Sequence, residues 1–229
     1  RNRRHIIGAV ALLGAATMAF AHGDVAPQPV NTDALPDVGE EWLIESPYRV
    51  GNITEEEWLA ALDIGASGYN QNCARCHGLE AVSGGLAPDL RFLEAEEFGD
   101  EWYMERYIHG YTQNGVTRMP GFGDLLGQKA GWAIRVYIET RPDDEAMAEA
   151  SPQLAEIRDQ LKVWQDDATG VNVDATIAQL QEIADGIETL SGAPVADSVA
   201  FRAANILKSD PTNFKSAAET LTIGLSVTN

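Results

Sequence analysis

The chain has 229 residues, with 35 Asp or Glu against 16 Lys or Arg, and a net charge of −19. That balance excludes a nucleic-acid binder, which needs a basic face, and weighs against docking on anionic lipid. An apolar content of 45% is enough for a packed core, and two cysteines exclude a multi-disulfide scaffold. The length allows one large domain, or a small domain with an extension.

In chain order, the first segment reads as an address. Arg1, Arg3 and Arg4 precede the apolar run 6–16, and Ala19-Phe20-Ala21 supplies the small-residue end of a secretory signal peptide over 1–21. The run is shorter than the ~20 residues that span a bilayer. Cleavage is expected after Ala21, with no membrane insertion of the mature chain. Loss of three arginines leaves a net charge of −22. Export implies an oxidising compartment, the periplasm.

Residues 22–53 are rich in Pro, Gly, Asp and Asn, with Trp42 and Tyr48 as isolated anchors, and predict an extended arm over a core. Residues 54–142 predict three helices. Thr54 with Glu57 forms a capping box; the helix it opens reaches about Asn70, with Trp58, Leu62, Gly65 and Tyr69 along one face. A second helix covers Asp100 to Ile108, with Trp102, Tyr103, Arg106 and Tyr107. A third covers Gln128 to Thr140 and stops before Pro142. Gly- and Pro-rich loops, 78–92 and 110–124, separate them, and no alternating strand pattern is visible. Residues 143–229 form a helical extension: Leu154, Ile157, Leu161 and Trp164 recur at helical spacing, as do Ile177, Leu180, Ile183, Ile187 and Leu190. Phe201, Ile206 and Leu207 mark a third helix there, and Phe214 with Leu221 a fourth. Asp166, Asp167, Asn172 and Asp174 do not fit a calcium loop. The extension is of unknown role: docking a partner, packing on 54–142 and self-association all remain open.

The chemistry lies in Cys73-Ala74-Arg75-Cys76-His77, a C-x-x-C-H run and the attachment signature of c-type haem. Two thiols at i and i+3 on one turn can each add to a haem vinyl group, and His77 then presents its imidazole to iron. A thioredoxin-like redox pair wants a βαβ setting, which is missing. A zinc site needs four ligands, and only His109 remains in this stretch. For a sixth iron ligand the candidates are Met119, Met104 and His109, beside an open position. Met119 is favoured: it sits in a loop between helices and Pro120 stiffens its approach. Met104 lies inside an amphipathic helix, where core packing is the ordinary role. His109 ends that helix and suits its dipole. Two filled axial positions favour electron transfer over catalysis, and a thioether raises the potential. The alternatives are a haem enzyme or ligand sensor with a weak sixth ligand, and a fixed cytochrome subunit of a dehydrogenase complex.

The stretch 22–142 resembles a class I c-type cytochrome. Tyr69 and Gly65 stand four and eight residues before Cys73, and Ile134 with Tyr137 match the aliphatic–aromatic pair that the family packs across that glycine. The resemblance implies an all-α class I fold around one covalent haem, with the C-terminal helices added. It also implies that Pro88, eleven residues after His77, offers its carbonyl to the histidine Nδ1–H. Tyr69-Asn70-Gln71-Asn72, the run 78–85 and a mature start at His22-Gly23-Asp24-Val25 are similar to the small periplasmic cytochromes of quinoprotein alcohol dehydrogenases. Such a carrier takes electrons from a PQQ enzyme and passes them to a downstream cytochrome or the terminal oxidase. Residues 22–142 hold 8 basic and 20 acidic side chains and 143–229 hold 5 and 15, so a basic partner surface and salt-sensitive encounter are expected, unless acidity serves solubility alone. Arg91, Arg118 and Trp102 are candidate propionate contacts; surface arginines for the first two and core packing for the third are the plainer readings.

Overall fold

A computed structural model describes residues 26–196 and 198–227; the expected signal peptide and its cleavage point lie outside them. The fold is mainly helical. Helix α1 (Glu55–Asn72) opens on the capping box: the Thr54 hydroxyl accepts from the Glu57 N–H at 3.3 Å, and the Glu57 carboxylate accepts from the Thr54 N–H at 2.9 Å. The helix breaks at Cys73 and resumes as the single turn α2 (Ala74–His77). Helix α3 (Glu97–His109) and helix α4 (Gly123–Glu139) complete this half. Gly127, at φ +77°, kinks α4, so its continuous part begins where sequence periodicity places it, at Gln128.

One apolar cluster holds these elements together. Trp58, Leu62 and Tyr69 of α1 are buried against Trp132, Ile134, Val136, Tyr137 and Ile138 of α4. The helices cross at Gly65, where a Cβ would stand 2.1 Å from the Ala133 carbonyl oxygen and 2.9 Å from Tyr137 Cβ. Ile134 is not the second residue on Gly65: its side chain lies over Gly68, 3.1 Å from a Cβ placed there. The helical rise separates 133 and 137 by one turn on one face, and 134 falls on the next row. Under α4, the Tyr103 and Tyr107 hydroxyls of α3 donate to the Gly131 and Gly127 carbonyls at 3.1 and 3.0 Å.

The stretch 110–124 is not all loop, which corrects the expectation of no strand. Strands β1 (Tyr111–Gln113) and β2 (Val116–Met119) pair antiparallel, with Tyr111 opposite Met119. Asn114 and Gly115 turn the ribbon at φ +53° and +76°, the left-handed pair that a two-residue hairpin of this hand requires.

Residues 26–53 carry no helix and run over the core. Gln28 exchanges hydrogen bonds with Asn72; the Gln128 carboxamide accepts from the Leu43 N–H and donates to the Glu41 carbonyl. Tyr48 is fully buried. Arg49 enters a buried ion cluster with Asp100, Arg135 and Glu139: Arg49 to Asp100 2.6 Å, Arg49 to Glu139 2.8 Å, Arg135 to Asp100 2.9 Å. Two positive and two negative groups balance there, which burial demands.

The last four helices are α5 (Asp144–Trp164), α6 (Val173–Gly186), α7 (Val199–Ser209) and α8 (Phe214–Val227). α6 stops at Gly186, so Ile187 and Leu190 follow the helix rather than extend it. Leu154, Leu161, Leu180, Leu207 and Leu221 sit at the centre of a second apolar cluster. This bundle packs on the first half. Phe201 meets Trp58 edge-to-face with centroids 6.3 Å apart, Ala196 N–H donates to the Thr140 carbonyl at 3.0 Å, and Arg141 donates to the Ala196 carbonyl at 2.8 Å. No helix among the described residues is long and apolar enough to cross a membrane.

Candidate haem site

The C-x-x-C-H run forms one tight turn. The Cys73 carbonyl accepts from the Cys76 and His77 N–H groups at 3.1 and 3.0 Å, and the Cys73 N–H donates back to Tyr69 at 2.7 Å. The turn therefore grows directly out of α1. Both cysteines are free thiols; Cys73 is half-buried and Cys76 exposed. Burial pushes the Cys73 thiol up to about 12, with Cys76 adding to it, so at neutral pH it is a protonated sulfur packed on the apolar cluster. The Tyr69 hydroxyl donates to the Gly78 carbonyl at 2.8 Å and closes the turn from α1. Gly78, at φ +86°, could take no Cβ, which would stand 1.8 Å from the Val82 carbonyl oxygen.

His77 is buried, with Nδ1 2.8 Å from the Pro88 carbonyl oxygen. A carbonyl only accepts, so Nδ1 carries the proton, and the tautomer in which Nε2 holds the free lone pair is the one that can bind iron. The loop that carries Pro88 is itself fastened. Asp89 accepts from the Ser83 N–H and from the Arg91 N–H and guanidinium. Burial opposes its charge, but these hydrogen bonds outweigh burial and hold the carboxyl below the usual range. Arg91 is not a surface arginine: only 4% of it is exposed, and it is paired with Asp89 and Asp144. The sequence around it shows no signal of this, because Asp144 approaches from a distant helix.

Met119 ends strand β2 and packs, half-buried, on the same cluster as Cys73 and Ala74. It is a strand residue rather than a loop residue. The hairpin base sits flush on the end of α3, since a Cβ at Gly110 would stand 2.3 Å from the Met119 carbonyl oxygen. Met104 is 5% exposed within the core, and His109 is exposed at the end of α3. Arg118 is exposed. Trp102 is half-buried at the core margin, with the Arg106 guanidinium 5.1 Å over its ring and 5.4 Å over that of Tyr111.

These donors suit a haem attached through sulfur. Among the described residues no group of three His, Cys, Asp or Glu could hold a bare metal ion. Two unpaired thiols, an imidazole with Nε2 available and a thioether are the set that a covalent haem uses. On the segments that follow His77 and flank Met119 in the chain, Leu79, Leu86, Phe92, Tyr111, Val116 and Leu125 are exposed, apolar surface of the kind a broad aromatic macrocycle covers.

Comparison with known proteins agrees. Residues 60–138 match the family model for cytochrome c oxidase, cbb3-type, subunit III. Cytochrome c550 of Pseudomonas aeruginosa is 50% identical over 133 residues, 58% of this chain and 90% of that protein. Two quinohemoprotein alcohol dehydrogenases of Pseudomonas putida, ADH-IIG and ADH IIB, are 34% and 32% identical over 85 and 105 residues, which make up 11% and 15% of their own lengths. No solved structure matches. The identity and coverage shared with cytochrome c550, on a helical fold built around a C-x-x-C-H turn, establish that this chain belongs to the c-type cytochromes, electron-carrying proteins with covalently bound haem c.

Proposed function

We propose that Cys73 and Cys76 form the two thioethers, that His77 Nε2 and Met119 Sδ are the axial donors, and that Pro88 holds the imidazole by its carbonyl. Bound haem supplies an iron that alternates between ferric and ferrous and so holds one electron. The chain does the rest. Its helices exclude water behind the site, and the Nδ1–H bond to Pro88 fixes ring orientation and raises ligand basicity. The thioether favours the reduced state and so raises the potential. Cys76, being exposed, puts one edge of the motif within reach of partners.

In this reading residues 54–142 are the haem domain, 22–53 its arm and 143–229 its helical extension. The chain is exported to the periplasm after cleavage at Ala21. It accepts electrons from a quinoprotein alcohol dehydrogenase and passes them to a downstream cytochrome or the terminal oxidase. The match to cytochrome c550 supports the carrier role, and the donor is supported by the weaker matches to short segments of two quinohemoprotein alcohol dehydrogenases. The latter also favour a second reading, a fixed cytochrome subunit of such an enzyme. The observation that carries the electron-carrier assignment is the His77–Pro88 contact, which leaves one basic nitrogen beside two thiols on one turn.

The test is reduction of the ferric protein by a PQQ-dependent alcohol dehydrogenase with alcohol, followed in the visible spectrum while salt is varied. Fast reduction that slows with ionic strength is expected from the net charge of −22 that the chain carries once residues 1–21 are removed. No reduction above the rate with enzyme omitted would reject the donor, and tight co-purification of the pair would favour the subunit reading.

A further inference from the structure

We infer that the C-terminal bundle braces the histidine side of the site: Asp144 of α5 holds Arg91, Arg91 holds Asp89, and this clamp fixes the Pro88 carbonyl that orients His77. Arg91 and Asp144 are thus positioning residues for the axial imidazole. The inference rests on the ligand assignment above and deepens it, since it gives the extension a role.

The geometry is specific. All five guanidinium N–H groups of Arg91 are used. Nε donates to Asp89 Oδ1 at 3.1 Å, and Nη2 to Asp89 Oδ2 at 2.8 Å and Asp144 Oδ2 at 3.2 Å. Nη1 donates to Asp144 Oδ1 at 3.0 Å and the Pro142 carbonyl at 3.3 Å. A rigid planar fork joins two carboxylates from segments more than fifty residues apart; a lysine ammonium cannot span both. On the loop side, Asp89 directly follows Pro88, and its Oδ2 also accepts from Ser83 N–H at 3.4 Å. Between its two short 3-10 turns, Leu79–Ala81 and Leu90–Phe92, the loop is held by side chains: Ser83 Oγ donates to the Ala87 carbonyl and accepts from the Gly85 N–H, and the Asp89 bonds fasten the end that carries Pro88. On the bundle side, α5 is anchored where it begins: Asp143 N–H donates to the Glu188 carbonyl at 2.9 Å, and Pro142 bridges Thr189. A second strut meets the same loop nearer the cysteines. Glu80 accepts from Arg141 at 2.7 Å and stands 3.8 Å from Arg202 of α7.

An acceptor held firmly on Nδ1–H makes the imidazole a stronger donor and favours the oxidised state. Loosening the clamp weakens that bond, so the midpoint potential rises and the Nδ1 proton exchanges faster. Asp144 is 67% exposed, so Asp144→Ala removes the outer carboxylate with little risk to folding. Arg91→Lys removes the fork while keeping the charge.

The experiment uses the full-length holoprotein and two readouts, the midpoint potential and the exchange rate of the His77 Nδ1 proton by NMR. Asp144→Ala and Arg91→Lys are expected to raise both, and Asp144→Glu to return both toward wild type. Leu161→Ala, in the centre of the bundle core, lowers thermal stability and leaves both readouts unchanged, which separates positioning from general destabilisation. Wild-type exchange in Asp144→Ala and Arg91→Lys would overturn the clamp, whatever occupies Nε2. Faster exchange with an unmoved potential would support the clamp and instead overturn His77 as the ligand.

Discussion

Gly65→Ala tests the helix crossing that carries the haem turn. An added methyl carbon would sit 2.1 Å from the Ala133 carbonyl oxygen, 2.6 Å from its carbon and 2.9 Å from Tyr137 Cβ. Ordinary contact begins near 3.4 Å, so α1 and α4 must part by about 1.3 Å along that line. Neither partner can swing aside, because the obstacle is backbone. Helix α4 is also pinned, with Trp132, Ile134, Val136 and Ile138 all fully buried. Overpacking of this kind costs about 1–3 kcal/mol, and more when backbone is the obstacle. The intrinsic helix preference for Ala over Gly returns about 1 kcal/mol. A net loss of about 2 kcal/mol follows, equivalent to a fall in Tm of about 4–8 °C for a chain of this size. The assay is thermal and urea unfolding of holoprotein at equal haem content, read by far-ultraviolet circular dichroism. Gly186→Ala is the control: it ends α6 with nothing within 4 Å of its added Cβ, so it should be neutral or gain up to about 1 kcal/mol. If Gly65→Ala proved as stable as wild type, the argument that backbone proximity sets this crossing would be wrong.

Three further outcomes are expected. Met119→Ala should abolish the near-infrared thioether-to-iron band, lower the potential and admit carbon monoxide; an unchanged spectrum rejects Met119 as the ligand. Asp89→Asn should cost about 1.5–3 kcal/mol at neutral pH through lost charge-assisted hydrogen bonds. The folded carboxyl is depressed below its ordinary 3.8, so its contribution is present above that pH and fades as pH falls through the folded value; the gap between variant and wild type should therefore narrow below pH 3.8 in urea titrations. Gly115→Val should cost about 1–2 kcal/mol, since φ +76° is strained for a branched residue. It should also weaken the thioether band, because the turn sets the register that places Met119, and a band of full strength would show that the hairpin does not position it.

What local spacing decided and what only the fold decided divide along sequence distance. The turn 73–77 and the capping box at Thr54 involve partners three or four residues apart, so residue order alone dictates them. The buried faces of α1 and α4 follow from periodicity. The hairpin was missed although Asn114-Gly115 is a strong turn signal, because strands of three and four residues are too short and too exposed to alternate visibly. Gly65 announced a close approach, but only the helix crossing selected Ala133 and Tyr137 over Ile134. The burial of Arg91 was not legible at all. Its sequence neighbours are polar and loop-like, and its second carboxylate, Asp144, arrives from 53 residues away. The same holds for the buried cluster of Arg49, Asp100, Arg135 and Glu139, drawn from the arm and two helices. Short-range hydrogen bonding and amphipathic period can be read from residue order, because the chain itself fixes those distances. Which charges are withdrawn from water together, and where the C-terminal helices rest, depends on desolvation and packing between distant segments, which exist only once the chain is folded.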